Sequence, residues 1–487
     1  MKMKKNNIKS HIYLSILLSI LLSGVITTSC DKFLEVESVG RTTMPNFFSD
    51  VPGLKAGLVG TYSQMYNYYS NEFYKYPDVA GNMVDLNLIS DDVEMIDQFN
   101  FTSNPEQELG PVGMIWRLIL QTMANANNVL EYAPPLIEKF PNSKAEIELI
   151  QAQALFIRAI NHFDLTRVYA QPYNYTPDAS HLGVPVLLIT PGPDDLPSRA
   201  TVKQVYDQII KDLLDAEKLF GDTPFKDSYH ISKRAVQALL SRVYLYKGDW
   251  ENAIVYATKV INETNLAFGE DYLSMYHGLI PGKEAILRLD GTLKNKALGT
   301  KFYSKDNPIA LPADTLISLF DKENDLRFSL FEKKNETSTN FFTSKYTIKA
   351  TFTPDTEHYD PFVLRVSEMY LIRSEAYLKT DQLAKAEDDL KAIVARALQE
   401  EKSDVNLDYT GKDELFALIK KERVKELAFE GHNFFDIVRY NDDLRRGSTT
   451  TSNVHFLPYP NDLFVLPFPQ KEMDANENMQ GNPTVNN

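Results

Sequence analysis

The chain has 487 residues, with 66 acidic against 51 basic side chains and a formal net charge of −15 at pH 7. This acidic balance argues against a nucleic acid partner and against binding to an anionic surface through charge. The single cysteine, Cys30, excludes an intramolecular disulfide, so the core alone must stabilise a chain long enough for one large domain or two.

The first 29 residues have the layout of a secretory signal. Four lysines precede an apolar run from Ile12 to Ile26, and small polar residues lead to Cys30. The run is shorter than the roughly 20 residues of a membrane-spanning helix. We predict that residues 1–29 are a lipoprotein signal peptide and that Cys30 becomes the acylated first residue. An incidental thiol is the alternative. The remaining chain would carry 47 basic against 66 acidic residues, a net charge of −19.

The stretch 61–85 is rich in aromatic residues and holds six tyrosines. Tyrosine has an apolar face and a polar tip, which suits sugar rings or peptide groups at a wet surface. Packing between helices is the alternative, and the i, i+4 spacing of Tyr62 and Tyr66 favours it for that pair. For the later tyrosines both interpretations stay open. The predicted ligand-binding residues are Tyr68, Tyr69, Tyr74, Tyr76, Asp78 and Asn82.

Helical patterns dominate the rest of the chain, and two segments, 235–262 and 367–397, fit tetratricopeptide-like units. In these units Ala253 and Ala386 stand where two helices must approach closely. Further helical segments are predicted at 114–134, 152–170, 201–220 (with Thr201 as the cap) and 413–440. The intervening residues 263–366 are of mixed character, and short strands and loops are expected in "EAILRLDG", "ALGTKFYS" and "FVLRV".

No motif specific to an enzyme occurs in the sequence: a nucleophile elbow, a zinc-protease motif, a P-loop and a dinucleotide fingerprint are all missing. In "ERVKELAFEGHNFFDIVRY" (422–440), Glu430 and His432 could act as acid and base. The alternative is a buried, charged helix end in which Asp436 pairs with Arg439. We favour the structural interpretation and predict no catalytic residue.

Several motifs, in order along the chain, resemble those of the SusD/RagB nutrient-binding lipoproteins of Bacteroidetes. The matching segments are "CDKFLEVESVGRTTMPNFF", "IWRLILQTMANANNVLE", "AQALFIRAINHFDLTRVYAQPY", "ELAFEGHNFFDIVRY" and "LPFPQKEMDANENMQGNP". The resemblance covers nearly the full length. In that family these motifs are elements of the fold, and none is a catalytic site.

The resemblance implies a mostly α fold, a tetratricopeptide-like helical repeat scaffold with large loop and short-strand insertions. Its expected parts are the signal peptide (1–29), an N-terminal SusD-like region with helical repeats (30–262) and a C-terminal SusD/RagB region with inserted loops and a repeat unit (263–487). With Trp116 and Trp250 expected to be structural, any stacking surface must come mostly from tyrosine and phenylalanine.

The implied function is capture of an oligosaccharide at the cell surface and its delivery to a SusC-like, TonB-dependent outer-membrane transporter. A peptide ligand is the alternative within the family, and a surface-tethered glycoside hydrolase is the remote one. The protein is expected to be anchored to the outer membrane by lipid, with no cofactor, no metal and no nucleic acid partner. Should the predicted tyrosines prove to be packing, the surroundings of Tyr303 and Phe341 are the next candidates.

Overall fold

The computed structural model describes residues 42–90, 92–276, 282–291, 298–346 and 360–484. The chain forms two compact units, Met1–Ser49 and Asp50–Asn487. The first contains a short helix, α1 (Met44–Phe47). The predicted signal peptide and Cys30 lie outside the described residues. Among the helices that are described, none combines the length and hydropathy that crossing a bilayer requires.

The second unit is built mainly from α-helices. They are α2 (Val51–Tyr69), α3 (Glu72–Ala80), α4 (Ile96–Phe99), α5 (Pro111–Lys139), α6 (Lys144–Tyr169), α7 (Val202–Phe220), α8 (Lys233–Lys247), α9 (Trp250–Ile261), α10 (Gly269–Ser274), α11 (Asp314–Ile317), α12 (Val366–Lys379), α13 (Leu383–Leu398), α14 (Lys412–Glu426), α15 (Asn433–Tyr440) and α16 (Gln470–Ala475).

Short strands join distant parts of this unit in antiparallel pairs. They are β1 (Val84–Leu86), β2 (Ala285–Arg288), β3 (Ala310–Pro312), β4 (Phe331–Lys333), β5 (Phe341–Thr343), β6 (Phe362–Arg365), β7 (Leu444–Arg445) and β8 (Phe456–Leu457). The pairs are β1 with β3, β2 with β6, β4 with β5, and β7 with β8. The predicted strands in "EAILRLDG" and "FVLRV" are confirmed as β2 and β6.

The long helices pack on one another in chain order, from α2 through α5, α6, α7, α8, α9 and α12 to α13. Two of the pairs, α8 with α9 and α12 with α13, repeat the same close contact. The Ser241 hydroxyl donates to the carbonyl of Ala253 (3.1 Å), and the Ser374 hydroxyl donates to the carbonyl of Ala386 (2.6 Å). Both alanines are fully buried. The predicted helical repeat scaffold is therefore confirmed, down to equivalent residues in its units.

Local sequence signals explain several helix boundaries. Helix α7 begins after Thr201, which forms a capping box with Gln204, as the predicted cap requires.

The predicted single helical stretch 413–440 is wrong, because α14 and α15 are separated by six residues. Gly431 there has φ +75°, and an added Cβ would lie 3.3 Å from the Tyr74 carbonyl oxygen. The segment "ALGTKFYS", expected as strand or loop, contains a π-helical turn at Leu298–Phe302.

Candidate ligand-binding site

The predicted tyrosines lie in the interior of the second unit. Tyr68, Tyr69, Tyr74 and Tyr76 are at most 4% exposed. Tyr68 and Tyr69 contact each other with ring centroids 4.7 Å apart, and both pack edge-on against Phe73 at 5.3 Å. These contacts are the packing that the alternative interpretation expected. We name the group formed by Tyr68, Tyr69, Phe73, Tyr74 and Tyr76 the aromatic cluster.

Three hydroxyl groups of the aromatic cluster, those of Tyr68, Tyr69 and Tyr74, form hydrogen bonds within the protein. The Tyr68 hydroxyl lies 2.9 Å from Asn161 Oδ1 and 3.1 Å from Asp164 Oδ2, and the Tyr69 hydroxyl donates to the same Asp164 oxygen at 3.1 Å. The Tyr74 hydroxyl donates to the Phe362 carbonyl at 3.3 Å. Burial raises the pKa of Tyr68, Tyr69 and Tyr74 well above the usual value for tyrosine.

The two polar residues of the prediction, Asp78 and Asn82, have different surroundings. Asp78 is fully buried, accepts a hydrogen bond from the Tyr303 hydroxyl (3.0 Å), and burial raises its pKa to about 8. Asn82 is partly buried and donates to Thr315 Oγ1 (3.1 Å) and to the Arg445 carbonyl (3.0 Å). The six residues therefore do not form one solvent-facing surface in this structure. Their contact with a ligand stays a prediction, and their burial favours packing.

A second buried group is formed by the acidic residues of α14 and the segment after it. Arg365 contacts Glu284 (2.7 Å), Glu426 (2.5 Å) and Glu430 (2.7 Å). These are charge-assisted hydrogen bonds, and Arg365 with Lys345 offsets the cost of burying Glu430 and holds its pKa below the usual value for glutamate.

The remaining residues of this segment also fit the structural interpretation. Asp436 pairs with Arg439 at 2.7 Å, which confirms the predicted ion pair. His432 is buried, and burial together with nearby arginines lowers its pKa well below the usual value, so it stays neutral. Within the described ranges, no three histidine, cysteine or acidic side chains are grouped so that they could hold a metal ion.

The most suitable open site is a groove of about 520 Å³ in the second unit. Helices α2 and α6 form two of its walls, and the loop 226–230 and the end of β2 complete it. We name it the tyrosine groove. Its principal lining residues are Leu58, Val59, Tyr62, Leu149, Ile150, Gln153, Tyr229, His230, Leu289 and Asp290.

Helical periodicity explains why these residues meet. The groove-lining positions of α2 are 55, 58, 59, 62, 63 and 66, and those of α6 are 146, 149, 150 and 153. Spacings of three and four residues place each set on one face of its helix. The two faces bring apolar side chains to the groove, and of these Leu58 and Ile150 are buried and Val59 is 63% exposed.

The two tyrosines that remain partly exposed in the groove use their hydroxyls internally. The Tyr62 hydroxyl donates to Gln153 Oε1 and accepts from the Ile231 amide, both at 2.7 Å. The Tyr229 hydroxyl donates to Asp360 Oδ2 (2.6 Å) and accepts from Arg288 Nη2 (2.7 Å). Each ring is therefore held in place by two bonds, and what it presents to the groove is apolar.

Charged groups at the edge of the groove lie close to polar partners. Lys55 lies 3.8 Å from Glu146 across the two helices. The His230 Nδ1 lies 2.7 Å from Asp227, and its Nε2 lies 3.2 Å from the Lys226 ammonium. Lys55 thus lies near an acid, whereas Lys226 lies beside an imidazole. The groove combines aromatic rings, an apolar floor and a polar rim, which is the usual composition of a small-molecule site.

A larger cleft of about 620 Å³ between Glu72 and Pro111 is a weaker candidate. Its lining contains five carboxylates and no aromatic residue. Two of the acids already pair with lysines, Glu94 with Lys75 at 2.7 Å and Glu108 with Lys471. The cleft therefore offers a sugar ring no surface on which to stack.

The sequence contained a partial signal for the tyrosine groove. The stripe at positions 58, 59 and 62 of α2 is visible as apolar residues at helical spacing, but such a stripe is equally typical of a packed core. Tyr229 stands alone in a polar loop, and nothing in the local sequence indicates that this loop lies against α2. Tyr62 and Tyr66 both border the groove, but Tyr66 is 2% exposed, which supports packing for it, whereas Tyr62 is only half-buried.

Two family models match separate parts of the chain. A model described as "Starch-binding associating with outer membrane" matches residues 32–245, and a model described as "SusD family" matches residues 331–484. Among curated proteins, SusD-like protein P2 of Formosa agariphila is 24% identical, with 92% of this chain and 95% of that protein aligned.

Solved structures are similar over most of the chain. A SusD superfamily protein from Bacteroides thetaiotaomicron has a TM-score of 0.78 at 25% identity, covering 89% of this chain and 100% of that one. A Bacteroides vulgatus protein, provisionally named as sugar-binding, has a TM-score of 0.78 at 26% identity, covering 89% and 98%.

Proposed function

Because the chain belongs to the SusD/RagB family, we propose that it is a surface protein that captures an oligosaccharide and delivers it to a TonB-dependent outer-membrane transporter. The description of one matching family names starch binding and the outer membrane, and a structural relative carries a sugar-binding name. The protein acts by binding and release, without chemical change of its ligand.

The observation that carries this proposal is the tyrosine groove. Sugar rings have apolar faces formed by their C–H groups, and these faces stack on aromatic side chains in many proteins. Tyr62 and Tyr229 supply such rings, and Leu58 and Ile150 line the same groove with apolar side chains. A volume of about 520 Å³ lies within the range of small-ligand sites and suits a few sugar units of a longer chain.

Calorimetric titration of the chain without residues 1–30 tests ligand class directly. A panel of oligosaccharides and a panel of oligopeptides of similar length are each titrated into the protein. We expect heat from at least one oligosaccharide family and none from the peptides. Binding of peptides alone would transfer the proposal to the peptide alternative. Chromatography of the glycan after prolonged incubation would reveal cleavage products if the protein were a glycoside hydrolase.

Delivery requires a membrane anchor and a transporter, and both are separate parts of the proposal. We propose that Cys30 carries the lipid anchor and that the protein lies at the cell surface beside a SusC-like transporter. A Cys30→Ser protein should lose its partition into outer-membrane fractions, and affinity purification of the unaltered protein should recover the transporter. Complete retention of the serine variant in the membrane would contradict the anchor but would leave glycan binding intact.

A further inference from the structure

The side chains of Tyr62, Gln153 and Tyr229 form hydrogen bonds within the protein, and this has a consequence for the ligand. Resting on the proposed function, we infer that the groove selects neutral glycans by the apolar faces of their sugar rings and not by their pattern of hydroxyl groups. For sugars that differ only at C6, affinity should fall from methyl through hydroxymethyl to carboxylate.

The first step is that polar side chains of the tyrosine groove already form hydrogen bonds within the protein. Gln153 accepts from the Tyr62 hydroxyl through Oε1 and donates to the Leu149 carbonyl through Nε2 at 3.2 Å. The Tyr229 hydroxyl is held between Asp360 and Arg288. A site that distinguishes hydroxyl patterns needs polar groups that are satisfied only by the ligand. These groups are satisfied before it arrives.

The second step is the way the rings are presented. Arg288 covers one face of Tyr229, with its Cζ 4.8 Å from the ring centroid. This ring can therefore offer only its other face to a ligand. Together with Leu58, Val59 and Ile150, the groove presents mostly carbon atoms, and contact with them gains free energy in proportion to the apolar area that the ligand brings.

The third step is charge. Lys55 lies 3.8 Å from Glu146, and Lys226 lies 3.2 Å from His230, whose other ring nitrogen lies 2.7 Å from Asp227. Asp290 adds a further acid, and the whole chain carries a net charge of −15. A carboxylate or sulfate on the ligand would lose water, would share these cations with their internal partners, and would be repelled by the acidic surroundings.

Matched glycans that differ at one carbon test this inference. We would titrate three backbones, β-1,4-linked glucose, α-1,4-linked galactose and β-1,4-linked mannose hexamers. Each is used as the 6-deoxy form, the ordinary hexose and the C6 carboxylate. For a backbone that binds, we expect about threefold tighter binding of the 6-deoxy form than of the hexose, as one more apolar contact predicts. The carboxylate should bind at least about tenfold more weakly than the hexose, with the gap narrowing as salt is raised.

A pair of valine variants tests whether the tyrosine groove causes this order. Val59 lines the groove and is 63% exposed, whereas Val255 on α9 is 48% exposed and does not line it. Val59→Lys should reduce the affinity gap between the hexose and the C6 carboxylate at least about threefold, because it adds a cation to the groove. Val255→Lys adds the same charge to the protein and should leave the order unchanged.

The outcomes separate this inference from the proposed function. Equal affinities of the three C6 forms, or preference for the carboxylate, would overturn the inference while glycan binding stands. A strong preference for one hydroxyl epimer, with little effect of the C6 group, would overturn it as well. The expected order with no response to Val59→Lys would place the selective site elsewhere and overturn the assignment to this groove. No binding of any glycan, here or in the wider panel, would overturn the proposed function itself.

Discussion

The aromatic cluster and the tyrosine groove use the same residue type in opposite ways. In the cluster, Tyr68 and Tyr69 direct both ring and hydroxyl into the protein, where Asp164 accepts from them. In the groove, Tyr62 and Tyr229 direct only the hydroxyl inward and leave part of the ring at the surface. The density of tyrosine in the sequence therefore marks the interior, and the candidate site is made by two tyrosines far apart in the chain.

This difference has a physical cause in how a hydroxyl is satisfied. A tyrosine buried without a partner for its hydroxyl is costly, so a cluster of buried tyrosines needs acceptors, and Asn161 and Asp164 of α6 supply them. In the groove the same requirement fixes the ring instead of hiding it. Hydrogen bonds to Gln153 and Asp360 orient Tyr62 and Tyr229 before a ligand binds. This lowers the entropic cost of ordering their side chains on binding.

The largest expected effect comes from Tyr68→Ala. Removing a fully buried ring that packs on Tyr69 and Phe73 should lower the free energy of unfolding by about 3–5 kcal/mol. The loss is measured by urea unfolding. Glycan affinity of the protein that remains folded should be unchanged, because this ring does not reach the groove.

Tyr175→Ala is the matched control, since Tyr175 is 39% exposed and its removal should leave stability nearly unchanged. If Tyr68→Ala instead abolishes glycan binding while the unfolding curve stays the same, the aromatic cluster contacts the ligand after all. The original prediction for Tyr68 would then stand, and the contrast between cluster and groove would fail.

Most of the fold could be predicted from the sequence. Helix stripes, the cap at Thr201 and the small residues Ala253 and Ala386 are local signals, and each acts in the structure as local chemistry requires. The break between α14 and α15 could not be predicted in this way. It depends on Phe429 and Gly431 taking positive φ in a segment whose residues otherwise favour helix, and tertiary packing overrides that preference.

The candidate site was less accessible to prediction. Whether a tyrosine on α2 faces the core or the surface depends on which helix covers it, and α6 lies about ninety residues away in the sequence, with Gln153 bonded to Tyr62. Tyr229 gains its place from Arg288 and Asp360, which belong to later parts of the chain. No pattern within a single segment contains this information.

Asp78→Asn tests the interior, in contrast to the groove, through the pH dependence of stability. Asp78 is fully buried beside Tyr303, and burial raises its pKa to about 8. In the unfolded chain an aspartate ionises near pH 4. Between these values the folded protein holds a proton that the unfolded chain has released, so stability falls as pH rises. The Asp78→Asn variant has no carboxyl group at this position, so its stability does not fall with rising pH for this reason.

The expected result is a stability gain of the variant over the parent that is larger at pH 8 than at pH 5, by about 2–4 kcal/mol. Urea unfolding of both proteins at the two pH values measures it. A gain that is equal at both values would mean that Asp78 is ionised in the folded protein.

Tyr229→Ala should act on binding. Loss of its ring from the groove should weaken a bound oligosaccharide by about 1–2 kcal/mol, or roughly five- to thirtyfold in Kd. Calorimetry on the folded protein measures this change. Because Asp360 and Arg288 also lose a hydrogen-bond partner, some stability will be lost, and Tyr229→Phe serves as the control for that part. If the alanine variant binds as tightly as the parent, the tyrosine groove is not the glycan site.

Tyr62→Phe is expected to have a small effect on both stability and binding, and this makes it the sharpest test of how the groove works. The change removes the hydroxyl that bonds to Gln153 and to the Ile231 amide but keeps the ring. The free energy of unfolding should fall by about 1 kcal/mol for the lost hydrogen bonds. Glycan affinity should change less than about twofold, since the ligand contacts the ring and not the hydroxyl.

Tyr62→Ala, which removes both, should lose affinity like Tyr229→Ala. A phenylalanine variant that binds tenfold more weakly at full stability would mean that the Tyr62 hydroxyl reads the sugar directly. The groove would then recognise hydroxyl groups, and its tyrosines would differ from those of the aromatic cluster in position alone.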